Sequence, residues 1–188
     1  DGTPPDTANP FPEANLFGDN GNGTDSDPEG QSFTVVGAVD QDGRVDGDIS
    51  SDVAWTSNNT YYLNSQAFVK DGVTLTIEAG TEILGRYDAN YSADNPAPCL
   101  VVEQGGKIIA EGTAEAPITF RSELDATDPN YGNGRGLWGG LIINGYAPIA
   151  NDGGTANVEG LTGVPYGGTD PDDNSGVLRY VRVWNGGS

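Results

Sequence analysis

Two stretches of this chain say nearly the same thing. "FVKDGVTLTIEAGTEI", Phe68 to Ile83, is followed by "VVEQGGKIIAEGTAEAPITF", Val101 to Phe120. Val69 falls on Val102, Gly72 on Gly105 and Leu75 on Ile108 at an offset of 33 residues, and Gly80-Thr81 on Gly112-Thr113 at 32. A period of that length marks a solenoid or array, in which a unit cannot bury its apolar face alone and must stack on its neighbour. Within each copy the apolar residues fall in runs too short for a helix, separated by Gly, Asp, Pro and Asn, while "TLTIE" and "PITFRS" alternate apolar with polar at the strand period. The reading is three short strands per turn, wound as an all-β solenoid.

Composition agrees. Twenty-nine glycines and twelve prolines in 188 residues punctuate the chain too often for long helices, and Met and His are absent. Hydrophobic residues make up only 35%, enough for the thin inner stack of one solenoid domain with a tail. The formal charge of −20, from 28 acidic and 8 basic residues, argues against nucleic acid or an anionic membrane as partner, since both require a basic footprint. No apolar run approaches membrane-spanning length. Cys99 stands alone in "PAPCLVV", which reads as a small buried residue at a strand start, with no His to serve as its base. The first residue is Asp1 rather than Met, which suggests a processed secreted protein or a trimmed chain.

Along the chain, residues 1–31 form an acidic segment rich in Pro, Gly and Asn, expected to be a disordered or extended tail. Within it "FPEANLF" offers Phe11, Leu16 and Phe17 as a docking patch for this chain or another copy. The β-helix domain is placed at 32–188. "SFTVVGAV" reads as a strand and "GRVDGDISSDVAWTSNNTYYL" as further short strands. After the repeat, "SELDATDPNYGNGRG" leaves the coil as a loop. "LWGGLIINGYAPI" reads as a strand pair with Trp138 at a corner and Gly139-Gly140 allowing close backbone approach. A second excursion spans 151–175, and "VLRYVRVW" reads as a last strand whose alternation is not clean, its two arginines falling on different parities.

The ordered motifs "GDI", "WT", "YYL", "FVKDGVTLTIEAGTEI", "LVVEQGGKIIAEGTAEAPITFRS", "WGGLIING" and "SGVLRYVRV" resemble a family of secreted bacterial right-handed parallel β-helix proteins. That family occurs in marine proteobacteria and Bacteroidetes, often as lipoproteins or outer-surface proteins. The resemblance covers Gly47 to Val183. It implies a right-handed coil and an extracellular or cell-surface location.

Several chemistries compete on these residues. Glu78 and Glu111 occupy matched positions and would stack about 5 Å apart at the strand spacing. They form either an acid pair of the kind glycoside cleavage uses or, as we read them, a solvated ladder with no basic partner. "GNGRGLWGG" lacks the Lys-Ser/Thr of a phosphate loop and reads as a turn. Calcium has better material. Asp40, Asp42, Asp46, Asp48 and Asp52 crowd one stretch and Asp170, Asp172, Asp173 and Asn174 another, though neither has full EF-hand spacing and Asp-Gly turn chemistry is the competing reading. Tyr61, Tyr62, Tyr87, Tyr91, Tyr131, Tyr146 and Tyr166, with Trp55 and Trp184, are candidate sugar platforms or stack caps. Sequons stand at Asn22, Asn58 and Asn90.

The final strand raises the question of a cap, since a terminal coil exposes strand edges and apolar stack. Truncation, a folded-over tail or another copy would each answer it. In the last case Val177, Tyr180, Val183 and Trp184 would meet the next subunit, with Phe11, Leu16 and Phe17 as latch, and head-to-tail contact would propagate into a fibre. The expectation is a right-handed parallel β-helix of four or five coils, extracellular and non-enzymatic, serving as a structural or adhesive element, self-associating or binding surface polysaccharide, with Ca2+ as candidate ion. A polysaccharide-binding or -cleaving module using the loops at 123–136 and 151–175 is the alternative.

Overall fold

The computed structural model describes residues 43–187 and the backbone of 24–26 and 32–34. The chain divides into two compact units, Asp1–Val36 and Gly37–Ser188. In the first, β1 (Thr24–Ser26) and β2 (Ser32–Thr34) pair antiparallel, with Thr24 opposite Thr34. Phe11, Leu16 and Phe17 lie outside the described residues, as do Asp40 and Asp42.

The second unit is a parallel β-helix with three faces. The first face stacks the start of β3 (Arg44–Ile49), the start of β5 (Thr60–Val69), β7 (Glu82–Gly85), β10 (Ile118–Ser122) and β15 (Val181–Val183). The second stacks the ends of β3 and β5 with β8 (Cys99–Val102) and β11 (Gly140–Ile143). The third stacks β4 (Val53–Trp55), β6 (Thr74–Ile77), β9 (Lys107–Glu111) and β14 (Gly176–Arg179). All these pairings are parallel. The described residues thus hold five rungs on one face and four on the others, with three strands to a turn as the repeat implied.

The sequence repeat is the lateral register itself. Val69 pairs with Val102 and Leu75 with Ile108. Gly72 and Gly105, both at φ 78°, occupy the same turn one rung apart, with the Gly72 N–H donating to the Gly105 carbonyl at 3.1 Å. A positive φ at the third position of a tight turn is what selects Gly there. The 33-residue period is nevertheless not the bare coil. Val53 pairs with Leu75 and Tyr61 with Ile83, steps of 22, and the longer step arises because residues 86–98 leave the coil between β7 and β8.

Inside, like stacks on like: Ile49, Val69 and Val102 on the second face, Leu75 and Ile108 on the third, Tyr61, Ile83 and Phe120 on the first, all buried. Each such aliphatic burial stabilises by about 1.5–3 kcal/mol, so the thin stack suffices despite the low hydrophobic content. A second apolar cluster lies apart from this stack. Phe68, Val101 and Ile142, whose neighbours in sequence point inward, stack through successive rungs of the second face, and Val158, Leu161 and Val164 of the 144–175 excursion cover them together with Cys99. Within that excursion β12 (Ala156–Asn157) and β13 (Pro165–Tyr166) pair antiparallel. All four residues of β8 are consequently buried.

Three local expectations are corrected. "VLRYVRVW" is two strands on two faces, because Tyr180 takes φ 47° and turns the corner; the parity of its arginines breaks there. "LWGGLIINGYAPI" holds one strand, β11, rather than a pair, and Trp138, just before it, is fully buried in the coil. Trp55 is equally buried, stacked on Tyr61 with ring centroids 4.8 Å apart, so it is core and no sugar platform. The close approach at Gly139 is real: a Cβ there would lie 3.0 Å from Cys99 Cβ.

Candidate functional site

The first face carries outward side chains on which polar chemistry converges. In β3, Arg44 stands opposite Tyr62 of β5. Leu63, Gly85 and Ser122 form one register column, and the residue after each, Asn64, Arg86 and Glu123, continues it, held by backbone bonds from Arg86 N–H to the Leu63 carbonyl (3.0 Å) and from Glu123 N–H to the Gly85 carbonyl (2.9 Å). Successive rungs of such a ladder are about 4.8 Å apart. Arg44, Tyr62, Asn64, Arg86 and Glu123 together line a cleft of about 210 Å³. Four of the eight basic residues, Arg44, Arg86, Arg121 and Arg182, belong to or directly follow strands of this face.

The cleft is braced from both sides. Arg86 Nη1 donates to Asn64 Oδ1 at 3.2 Å, and Glu123 Oε1 accepts from the Tyr87 N–H at 2.7 Å. The Tyr91 hydroxyl donates to the Arg86 carbonyl, Tyr87 and Tyr91 meet edge to face at 6.3 Å, and burial pushes the Tyr91 phenol up to about 12. Arg121 Nε bonds Glu82 Oε1 at 2.8 Å beside it. An arginine fork offers planar, bidentate recognition of a carboxylate, and tyrosine a flat apolar face with a polar tip. Chemically, the arrangement can hold a carboxylated sugar.

Glu78 and Glu111 directly follow the paired Ile77 and Ala110 on adjacent rungs, as the matched positions implied, but each has its own partner, and the expectation of no basic partner is corrected by Arg179. Glu78 Oε2 accepts from the Ser57 N–H at 3.1 Å, while Glu111 lies 3.6 Å from the Arg179 guanidinium of the next rung. The aspartates are also engaged locally. Asp48 faces Lys70 at 3.6 Å, and the same ammonium bonds Glu103 at 2.6 Å, an interaction that raises the Lys70 pKa. Asp46 is exposed in β3. Asp52 accepts from the Thr74 N–H (2.7 Å), Asp170 from the Asp172 N–H (3.0 Å), Asp173 from the Tyr146 N–H (3.0 Å) and Asn174 from the Gly176 N–H (2.9 Å). Among the described residues no three His, Cys, Asp or Glu side chains converge as metal ligands.

At the last described rung Val177, Leu178, Tyr180, Val183 and Trp184 are all exposed by 40% or more. Arg182 packs over the Trp184 ring at 5.9 Å. Cys99 is buried, and burial pushes its thiol up to about 11. No helix among the described residues is long and apolar enough to cross a membrane.

Sequence reasoning missed Arg44, Tyr62, Asn64, Arg86 and Glu123 as a group. The available signal was a polar residue directly after the inward residues Leu63, Gly85 and Ser122, but it emerges only after rungs separated by 22 and then 37 residues are aligned.

Among known proteins, no curated protein and no solved structure matches the chain. The model of one family does match, over residues 47–188, and its description is a pectate-lyase-like beta helix domain. That span takes in every rung from the end of β3 to β15, so the chain belongs to the pectate-lyase-like β-helix family.

Proposed function

We propose that the chain is a non-enzymatic extracellular β-solenoid that works as an adhesive surface element by holding carboxylated polysaccharide in the Arg44–Arg86 cleft. The observation that carries this reading is the gathering of two arginines, a tyrosine, an amide and a carboxylate in one outward cleft of a chain with only eight basic residues. Arginine stays protonated at any ordinary pH, which suits it to pairing with a uronate rather than to taking its proton. Binding rather than cleavage is further supported by Glu78 and Glu111 each having a separate partner. The resemblance to secreted surface proteins supports the location.

The test is calorimetric titration of polygalacturonate and alginate into the protein, run beside an ultraviolet assay for unsaturated uronate products. We expect saturable binding, lowered about tenfold or more by Arg86→Ala, since charge-assisted hydrogen bonds are worth about 1.5–3 kcal/mol, with no product formed. Product would overturn the non-enzymatic reading. Absence of binding would overturn the polysaccharide one.

A second reading rests on the exposed last rung. Its exposed apolar side chains, Val177, Leu178, Tyr180, Val183 and Trp184, are what a second copy stacked head to tail would bury. Such a contact does not close and would give a filament. Electron microscopy over a concentration series distinguishes them: fibres repeating at one subunit support stacking, and discrete particles at all concentrations refute it.

A further inference from the structure

A second cavity opens where the 144–175 excursion leaves the coil. Its volume is about 400 Å³, and Ile143, Asn144, Ile149, Val158, Glu159 and Tyr166 line it. Asn144 is only 4% exposed. Its backbone is satisfied, the N–H donating to the Val102 carbonyl at 2.9 Å and the carbonyl accepting from Ser175 Oγ at 2.8 Å. Its side-chain Nδ2, however, is buried with no hydrogen-bond partner. Buried donors are almost always paired, so an orphan in a cavity wall asks for an acceptor from outside the chain.

The rest of the wall specifies what that acceptor belongs to. Ile143, Ile149 and Val158 require an apolar group beside it. No Lys or Arg lines the cavity and Glu159 does, which disfavours an anion and selects a neutral ligand able to donate to a carboxylate. The Tyr166 ring offers a face to a sugar ring. A carbonyl next to a methyl, on a neutral ring bearing N–H and hydroxyl donors, meets all four requirements. We infer that this cavity takes the acetamido group of an N-acetylated amino sugar, its carbonyl oxygen accepting from Asn144 Nδ2 and its methyl against Ile149 and Val158. The site is separate in residues and in ligand charge from the arginine cleft, and the inference does not depend on it.

Saturation-transfer NMR on the intact chain with N-acetylglucosamine tests this. The acetyl methyl should receive the strongest saturation and glucose should receive none. Asn144→Ala should weaken binding about fivefold or more, the worth of one neutral hydrogen bond. Truncating a buried side chain leaves a small cavity, so the binding loss is read on variant protein shown to be folded at the assay temperature by its melting curve. Ala147→Phe, at an exposed lining position, should abolish binding by filling the cavity in a folded protein. Arg86→Ala should have no effect. The inference is overturned if N-acetylglucosamine shows no saturation, if glucose or an O-acetylated glucose binds equally well, or if both cavity substitutions leave binding intact.

Discussion

Gly85 tests the packing logic of the coil at one atom. It lies in the inward column between Leu63 and Ser122, and the indole of Trp138 fills the space that a side chain would have occupied. A Cβ built at Gly85 would lie 2.6 Å from both Cβ and Cγ of Trp138 and 2.7 Å from its Cδ2. Carbon atoms rest about 3.5–4.0 Å apart, so Gly85→Ala forces a shift of about 1 Å on a fully buried ring. Overpacking of that kind costs about 1–3 kcal/mol. The Trp138 Nε1–H also donates to the Trp184 carbonyl at 2.7 Å, and a displaced ring risks about 1 kcal/mol more.

The expected loss is therefore about 3 kcal/mol in urea unfolding, a fall in melting temperature of about 6–12 °C for a chain of this size. Trp138→Leu alone should cost a similar amount through the cavity it leaves. Combined with Gly85→Ala it should cost clearly less than the two separately, with a coupling of about 2 kcal/mol, because the methyl then occupies vacated space. A Gly85→Ala protein within 0.5 kcal/mol of the parent, or strict additivity in the double variant, would refute the claim that the glycine exists to admit the indole.

Trp55 and Trp138 are both fully buried, but among the described residues Trp55 Nε1 has no partner, so Trp55→Phe should be at least about 1 kcal/mol less costly than Trp138→Phe in the same urea assay. Cys99 is an acid whose folded pKa is raised, so the stability it contributes is complete below the unfolded thiol pKa and is lost as pH climbs towards about 11. Melting temperatures between pH 8 and 11 should fall more steeply in the parent than in Cys99→Ala, and parallel curves would refute the assignment. If the engaged aspartates hold no calcium, a chelator should leave the melt unchanged, whereas a clear fall in chelator that calcium reverses would show that the folded chain binds the ion.

The repeat was legible because it is enforced twice, by stacked apolar residues and by the paired turns at Gly72 and Gly105. Matching the repeats therefore yields the register found at Val69 and Leu75. Where loops of unequal length interrupt the coil, no fixed period survives: Phe120 follows Ile83 by 37 residues and Val183 follows Phe120 by 63. That is why the Arg44–Arg86 cleft stayed hidden. The unbroken "CLVV" run did carry a signal, since a strand apolar at every position is covered on both faces, and the excursion packed over Val101 is that cover. Tyr180 showed only in the broken parity of Arg179 and Arg182 around it, because a tyrosine at positive φ cannot itself be told from its neighbours in a strand-like pattern.

Both proposed sites obey one rule of placement. Arg86, Glu123 and Asn144 are each the first residue after a strand, at the root of 86–98, 123–139 and 144–175 respectively. Each is fixed by one more ladder bond to the rung below, from Arg86 to Leu63, Glu123 to Gly85 and Asn144 to Val102, at 2.9–3.0 Å. The loop beyond each root is long, and lengthening a loop costs little, since closure entropy grows only with the logarithm of its length. The inner stack constrains a loop only where the loop sends a residue into it, as 123–139 does with Trp138. Chemistry on this coil is thus carried by side chains with strand-like precision at their backbone and loop-like freedom in their surroundings, so changing a root residue should alter ligand choice while changing an inward neighbour such as Gly85 alters only stability.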